Sequence, residues 1–167
     1  MPRVSFSRFV ASVGMTALVI LASCGDDGGS GDDTSSRESD VYAAIVRSVA
    51  ADEPHEEDET PIVYVTPFPN EKPIPLDVQV GVVDAVAEDA TVRFVDEEEQ
   101  AIDKDAEGEP VVDDGVLVRI GTVPEEGTTV TVPAELYHTA NDIVPTEYEV
   151  TEGTDAWTAT QQSSASG

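Results

Sequence analysis

An acidic stretch in the second half of the chain has residue types and spacing suited to binding a divalent cation. Oxygen-bearing side chains alternate along it, and a glycine follows the third of them where a tight loop would turn. Calcium takes about six to eight oxygen ligands, which such a loop can supply from its carboxylates and one backbone carbonyl. The residues that would form this calcium site are Asp103, Asp105, Glu107, Glu109 through its carbonyl, and Asp114, with the turn at Gly108.

The order of these ligands resembles the calcium loop of an EF-hand, with three departures from that pattern. Glu107 is longer than the usual fifth residue, Asp114 is shorter than the bidentate glutamate that closes the loop, and Pro110 replaces the customary apolar residue. The alternative interpretation is a solvated acidic connection between two strands. The neighbouring run 97–99, three glutamates, could supplement the calcium site or be one more solvated run.

The only cysteine of the chain, Cys24, follows a segment typical of an export signal. Arg3 and Arg8 give this segment a positive start, and residues 9–22 are uncharged and mostly apolar. That run is shorter than the roughly 20 residues needed for a permanent transmembrane helix, so a signal peptide over residues 1–23 is predicted. With one cysteine the chain can form no internal disulfide.

The end of the signal, Leu21-Ala22-Ser23-Cys24-Gly25, resembles the lipobox of bacterial lipoproteins. The resemblance implies that a diacylglyceryl group is attached to the Cys24 thiol and that cleavage before Cys24 makes it the new amino terminus. Two acyl chains hold a protein stably on a bilayer where one does not. We therefore expect a cell-membrane lipoprotein, anchored through Cys24 on the extracytoplasmic face.

The chain is strongly acidic, with a formal net charge of −27. Removal of the signal takes away two of the 8 basic residues and none of the 35 acidic ones, which changes the net charge to −29. This charge repels nucleic acid and anionic lipid headgroups, so no nucleic-acid partner is expected. Cationic or cell-envelope partners are favoured. The alternative is that the charge serves solubility, including solubility in high salt.

Motifs of the common enzyme classes are absent from the sequence. It has no Gly-x-Ser-x-Gly elbow, no glycine-rich phosphate loop and no His-Glu-x-x-His, and its two histidines have no cysteine nucleophile to activate. His55, which lies among the six carboxylates of residues 52–59, could be a metal ligand or a solvated side chain. A cell-envelope enzyme that uses a pair of carboxylates stays open as an alternative.

Hydrophobic spacing predicts one folded domain over residues 39–160. The Gly/Ser/Asp-rich segment 24–38 is predicted to be a flexible acidic tether, and 161–167 a disordered polar tail. Two helices are predicted, from Asp40 to Ala51 and from Leu76 to Glu88. Runs rich in β-branched residues predict strands over 62–65, 91–95, 115–120, 128–137, 147–150 and 156–160.

This order of elements is α+β: two helices packed on a mostly antiparallel sheet of about five or six strands. Its segments, among them Val-Tyr-Ala-Ala-Ile-Val-Arg, Ile-Val-Tyr-Val and Val-Arg-Phe-Val, look like those of a group of uncharacterised bacterial lipoproteins over about residues 40–160. The resemblance implies no activity. Our leading hypothesis is therefore a non-catalytic binding or interaction domain of unknown ligand, in which Tyr148 and Trp157 pack the last hairpin.

Overall fold

The computed structural model describes residues 30–55 and 59–162. They form two helices and a six-stranded mixed sheet that does not close on itself, which confirms the predicted α+β class. The signal peptide, Cys24 and residues 163–167 lie outside the described residues. The elements are α1 Ser30–Asp52, β1 Ile62–Pro67, α2 Leu76–Ala85, β2 Thr91–Phe94, β3 Val116–Ile120, β4 Thr129–Thr139, β5 Asp142–Glu152 and β6 Trp157–Gln162, with short 3₁₀ turns at Glu98–Gln100 and Val112–Asp114.

The sheet is mixed, with two parallel and three antiparallel strand pairs. Its strand order is β2-β1-β3-β4-β5-β6; β1 runs parallel to both β2 and β3, and the remaining pairs are antiparallel. A parallel pair needs a crossover connection, and α2 provides it between β1 and β2. The carboxyl ends of β1, β2 and β3 therefore lie at one edge of the sheet, where the loops after these strands meet.

One face of the sheet is covered by the helices, and part of the other face is covered by a different part of the chain. The helices cover one face over a core made largely of valines, with Ile45 and Tyr148 among its fully buried side chains. On the other face, the segment between β2 and β3 supplies Ala101 and Val111, which pack with Leu117 of β3 in a second cluster. Because this second layer is irregular chain, hydrophobic periodicity could not reveal it.

Helix α1 begins at Ser30, ten residues before the predicted start at Asp40. The predicted flexible tether 24–38 is therefore wrong over residues 30–38, which belong to the helix. Ser39, just before the predicted start, lies buried inside α1. Its hydroxyl donates to the carbonyl oxygens of Ser35 and Ser36, at 2.7 and 3.0 Å, a bond that serine can make in the middle of a helix.

Gly81, a poor helix former in the middle of α2, allows the two helices to approach each other. A Cβ built at Gly81 would lie 2.8 Å from both Cβ and Oγ of Ser39, closer than real side-chain contacts. The glycine therefore lowers helix propensity and in return permits the close crossing of α1 and α2. Helix α2 starts where predicted, at Leu76, and ends at Ala85 rather than at Glu88.

The last hairpin packs as predicted on its two aromatic side chains. Tyr148 is completely buried, and Trp157 packs at the rim of the core beneath the guanidinium of Arg37, whose Cζ lies 5.2 Å from the ring centroid. Arg37 also donates hydrogen bonds to the carbonyls of Pro124 and Gly127 in the β3–β4 loop. Residues 161 and 162, predicted to be in the tail, are the end of β6.

Candidate binding cleft

The structure does not bring the predicted calcium ligands around one point. Asp103 and Asp105 lie in a tight turn in which the Asp105 amide donates to the Asp103 carboxylate, 3.1 Å away. Glu109 is already bonded, because its carbonyl accepts the Tyr137 hydroxyl at 2.8 Å and its carboxylate pairs with Lys104 at 3.0 Å. Among the described residues no group of three or more histidine, cysteine, aspartate or glutamate side chains is placed to hold a metal ion.

The remaining predicted calcium ligands are exposed or lie elsewhere. Glu107 is exposed, and Gly108 has a φ of 82°, as expected for the turn. Asp114 lies beyond the bridge that pairs Ile102 with Val111, so it faces a different part of the surface. The acidic loop interpretation therefore matches the geometry better than an EF-hand does.

The structure also contains a cleft, which lies at the carboxyl edge of β1 and β2. The loops after these two strands enclose a cleft of about 730 Å³. Openings at this edge are the usual ligand position in sheets with parallel strands, since the connecting loops diverge there. One wall is the proline-rich loop after β1, and the other is the acidic turn after β2.

The cleft combines apolar walls with a carboxylate rim. Phe68, Phe94 and Ile74 contribute apolar surface, and the rim carries the exposed side chains of Asp96 and Glu97. Neither of these two carboxylates has an ion-pair partner within residues 34–55 and 59–162. Aromatic faces beside free carboxylates suit an amine or guanidinium group, which gains both Coulomb and cation–π attraction.

A largely buried arginine fixes the acidic turn of this cleft to the sheet. Arg119 of β3 binds both carboxylate oxygens of Glu98, at 2.8 and 2.6 Å, and also pairs with Glu135 of β4. Its guanidinium carbon lies 5.3 Å from the centroid of the Tyr137 ring. The hydrogen bonds from Arg119 hold the pKa of Glu98 below its usual value. Glu98 is therefore a structural anion, whereas its neighbours on the rim are free.

The histidines lie away from the cleft. The Nε2 atom of His138 in β4 lies 2.9 Å from a carboxylate oxygen of Glu53, and its Nδ1 atom lies 3.5 Å from a carboxylate oxygen of Asp142. His55 is exposed, and its Nδ1 lies 2.8 Å from the backbone carbonyl of Glu53. Neither histidine lines the cleft, which therefore offers no imidazole as a general base.

The sequence contained a signal for this cleft that periodicity alone could not interpret. A distinctive run lies at the carboxyl end of each strand: Pro-Phe-Pro begins at the last residue of β1, and Asp-Glu-Glu-Glu follows β2 after one intervening residue. These runs are about thirty residues apart in sequence, and only parallel pairing of the two strands makes them opposite walls. An expectation of a mostly antiparallel sheet gave no reason to put them together.

No described helix is long and apolar enough to cross a membrane. Cys24, the predicted lipid attachment site, lies outside the described residues. Comparison of the chain with models of known protein families, with curated proteins and with solved structures finds no match to any of them.

Proposed function

We propose that this chain is a lipid-anchored protein of the extracytoplasmic face of the cell membrane, and that its domain binds a cationic component of the cell envelope without catalysing a reaction. The anchor rests on the lipobox-like sequence around Cys24 and the signal before it. The binding function rests on one observation, the cleft at the carboxyl edge of β1 and β2 with its aromatic walls and unpaired rim carboxylates.

The charge of the chain supports a cationic partner over other classes. A net charge of −27 raises the local concentration of cations and accelerates their encounter with an open carboxylate rim. Asp96 and Glu97 are exposed and unpaired among the described residues, so binding a cation there breaks no existing ion pair. The aromatic surface beside them favours an organic cation, such as a lysine or arginine side chain, over a bare metal ion.

The anchor is tested by labelling cells with a radioactive fatty acid. The wild-type chain should incorporate label and partition into detergent, and Cys24→Ser should do neither while leaving a soluble or uncleaved product. Acyl label that persists in Cys24→Ser would refute the anchor. Ser23→Ala, which keeps a small residue before the cysteine, serves as the control that should still be labelled.

The binding function is tested with a rhodamine-labelled tetralysine peptide and the purified full chain, by fluorescence anisotropy. Each solvent-exposed charge pair contributes up to about 1 kcal/mol, so Asp96→Asn with Glu97→Gln should weaken binding about tenfold. Glu147→Gln with Glu149→Gln removes the same charge from exposed positions of β5 and is the matched control. Equal weakening by both double variants would show that net charge alone attracts the peptide, and would refute the cleft as the site.

A further inference from the structure

Strand β2 forms one edge of the sheet, and its outer side is unpaired among the described residues. The Thr91 amide donates to the carbonyl of Pro61, just before β1, at 2.9 Å, and the Val95 amide donates to the Val65 carbonyl of β1 at 3.0 Å. Because backbone groups alternate in direction along a strand, Val92 and Phe94 direct their amides and carbonyls away from β1. The edge therefore presents up to four backbone hydrogen-bonding groups to a further strand.

An exposed apolar stripe on α2 lies beside this edge. Leu76, Val80 and Val83 follow each other at helical spacing and are 74%, 52% and 40% exposed, which is unusual for large aliphatic side chains. With the half-buried Val92 and Phe94 of β2 they line a shallow groove of about 370 Å³. A strand added to β2 would direct every second side chain into this groove.

The groove and the cleft are neighbours. Phe94 and Gln79 line both, so a chain lying along β2 would run from the apolar groove to the carboxylate rim at Asp96 and Glu97. Asp84 adds a carboxylate in the groove itself. Backbone groups, an apolar groove and an acidic end lie in one line, which is the combination that recognises an extended peptide.

We propose that β2 accepts an extended peptide segment of a partner protein, which pairs with the backbone of Val92 and Phe94. Alternate apolar side chains of the peptide fill the groove along α2, and a lysine or arginine beyond them reaches Asp96 and Glu97. This proposal rests on the proposed function, since it names the class of cationic partner: a basic, apolar, strand-forming peptide.

The charges around β2 favour a basic peptide over a second copy of the chain as the partner of this strand. Two copies joined through their β2 edges would bring acidic segments together, because Asp96 and Glu97 follow the strand and Glu88 and Asp89 precede it. Like charges placed opposite each other across a strand pair destabilise it. The same carboxylates that attract a basic peptide therefore keep identical copies apart, which is how exposed edges are commonly protected.

The test uses three rhodamine-labelled peptides and the full chain in dodecyl maltoside. The first, Lys-Val-Thr-Val-Thr-Val-Lys-Lys, can add a strand; the second has the same sequence with N-methylated valines; the third is tetralysine. We expect the first to bind about tenfold more tightly than the other two, because N-methylation removes backbone donors and leaves the charge unchanged.

Two variants locate the peptide. Val92→Pro removes an outward amide, which edge strands tolerate, and should abolish the preference for the first peptide while retaining tetralysine binding. Leu76→Ser with Val80→Ser changes exposed positions only, so the fold should persist, and should reduce the same preference. Asp96→Asn with Glu97→Gln should weaken all three peptides.

The outcomes separate the two proposals. Equal binding of the first and N-methylated peptides, with tetralysine binding still dependent on Asp96 and Glu97, would overturn strand addition and leave the proposed function standing. If none of the peptides binds, both fall. Two other results would assign the β2 edge to another occupant and overturn the proposal. One is a dimer of the chain that Val92→Pro disrupts. The other is binding to vesicles that Leu76→Ser with Val80→Ser disrupts while peptide binding is unchanged.

Discussion

Replacing Arg119 by methionine should destabilise the domain far more than the same change at Arg93. Each arginine lies over a tyrosine ring, at 5.3 and 5.5 Å, and each pairs with carboxylates. They differ in burial, since the Arg119 side chain is 12% exposed and that of Arg93 is 46% exposed. Arg93 is thus a matched control in which the ion pair is solvated.

The expected loss of stability follows from the two carboxylates that Arg119→Met leaves without their guanidinium partner. Glu98 and Glu135, whose side chains are 31% and 25% exposed, would keep their negative charges without the guanidinium that separates them. Losing charged hydrogen bonds to partly buried carboxylates costs about 2–3 kcal/mol, whereas the exposed Arg93 pair is screened by water and contributes much less. The destabilisation by each variant is measured by urea unfolding, monitored through the fluorescence of Trp157, the only tryptophan.

The destabilisation caused by Arg119→Met should become smaller as the pH falls. Arg119 holds the pKa of Glu98 below the usual 4.5, so its stabilisation is fully present above that value and is lost as the pH falls through the folded-state pKa. The free-energy gap between wild type and Arg119→Met should therefore shrink between pH 7 and pH 3. Equal effects of Arg119→Met and Arg93→Met at pH 7, or a gap that is the same at both pH values, would refute this account.

Two further substitutions, measured by the same urea unfolding, and one calcium titration test other parts of the structure. Gly81→Ala should destabilise the domain by about 1–2 kcal/mol although alanine is the better helix former, because its Cβ would clash with Ser39. In a Ser39→Gly background this destabilisation should be smaller. A Gly81→Ala variant more stable than wild type would contradict the close crossing of the two helices. Tyr148→Phe should be neutral or stabilising by up to about 1 kcal/mol, since the buried hydroxyl has no hydrogen-bond partner within the described residues. Millimolar calcium should leave the melting temperature unchanged; a saturable rise that Asp103→Ala with Asp105→Ala abolishes would instead establish the calcium module.

The helices and strands could be predicted because they depend on local pattern. Val41, Ile45 and Val49 repeat at helical spacing and are all buried in α1, and the β-branched run of β1 is buried from Val63 onward. The amino-terminal part of α1 could not be predicted from its Gly, Ser and Asp composition, which favours an extended chain. Contacts with distant residues, such as those of Arg37 with the β3–β4 loop, stabilise that part of the helix instead.

The candidate site was predictable only in its parts. Glu97–Glu99 stood out in the sequence as a charge run, but nothing local distinguishes Glu98, which binds Arg119, from the two glutamates beside it. That difference depends on where β3 lies relative to β2, which is set by the whole sheet. The contacts of Glu109 were no more predictable: the Tyr137 hydroxyl, which lies outside the twelve-residue calcium motif, donates to its carbonyl, and Lys104, within that motif, pairs with its carboxylate.

The start of α1 also bears on where a partner would meet this domain. Only residues 25–29 separate Cys24 from Ser30, and a fully extended chain spans that interval in about 20 Å. Arg37 contacts the loop that follows β3, so the amino-terminal end of α1 lies at the carboxyl edge of the parallel strands, the edge that holds the cleft. If Cys24 carries the proposed anchor, the cleft is held near the bilayer surface. The strand-forming peptide that we propose would then have to come from a segment close to the membrane, which narrows the search to envelope proteins with a basic, extended juxtamembrane segment.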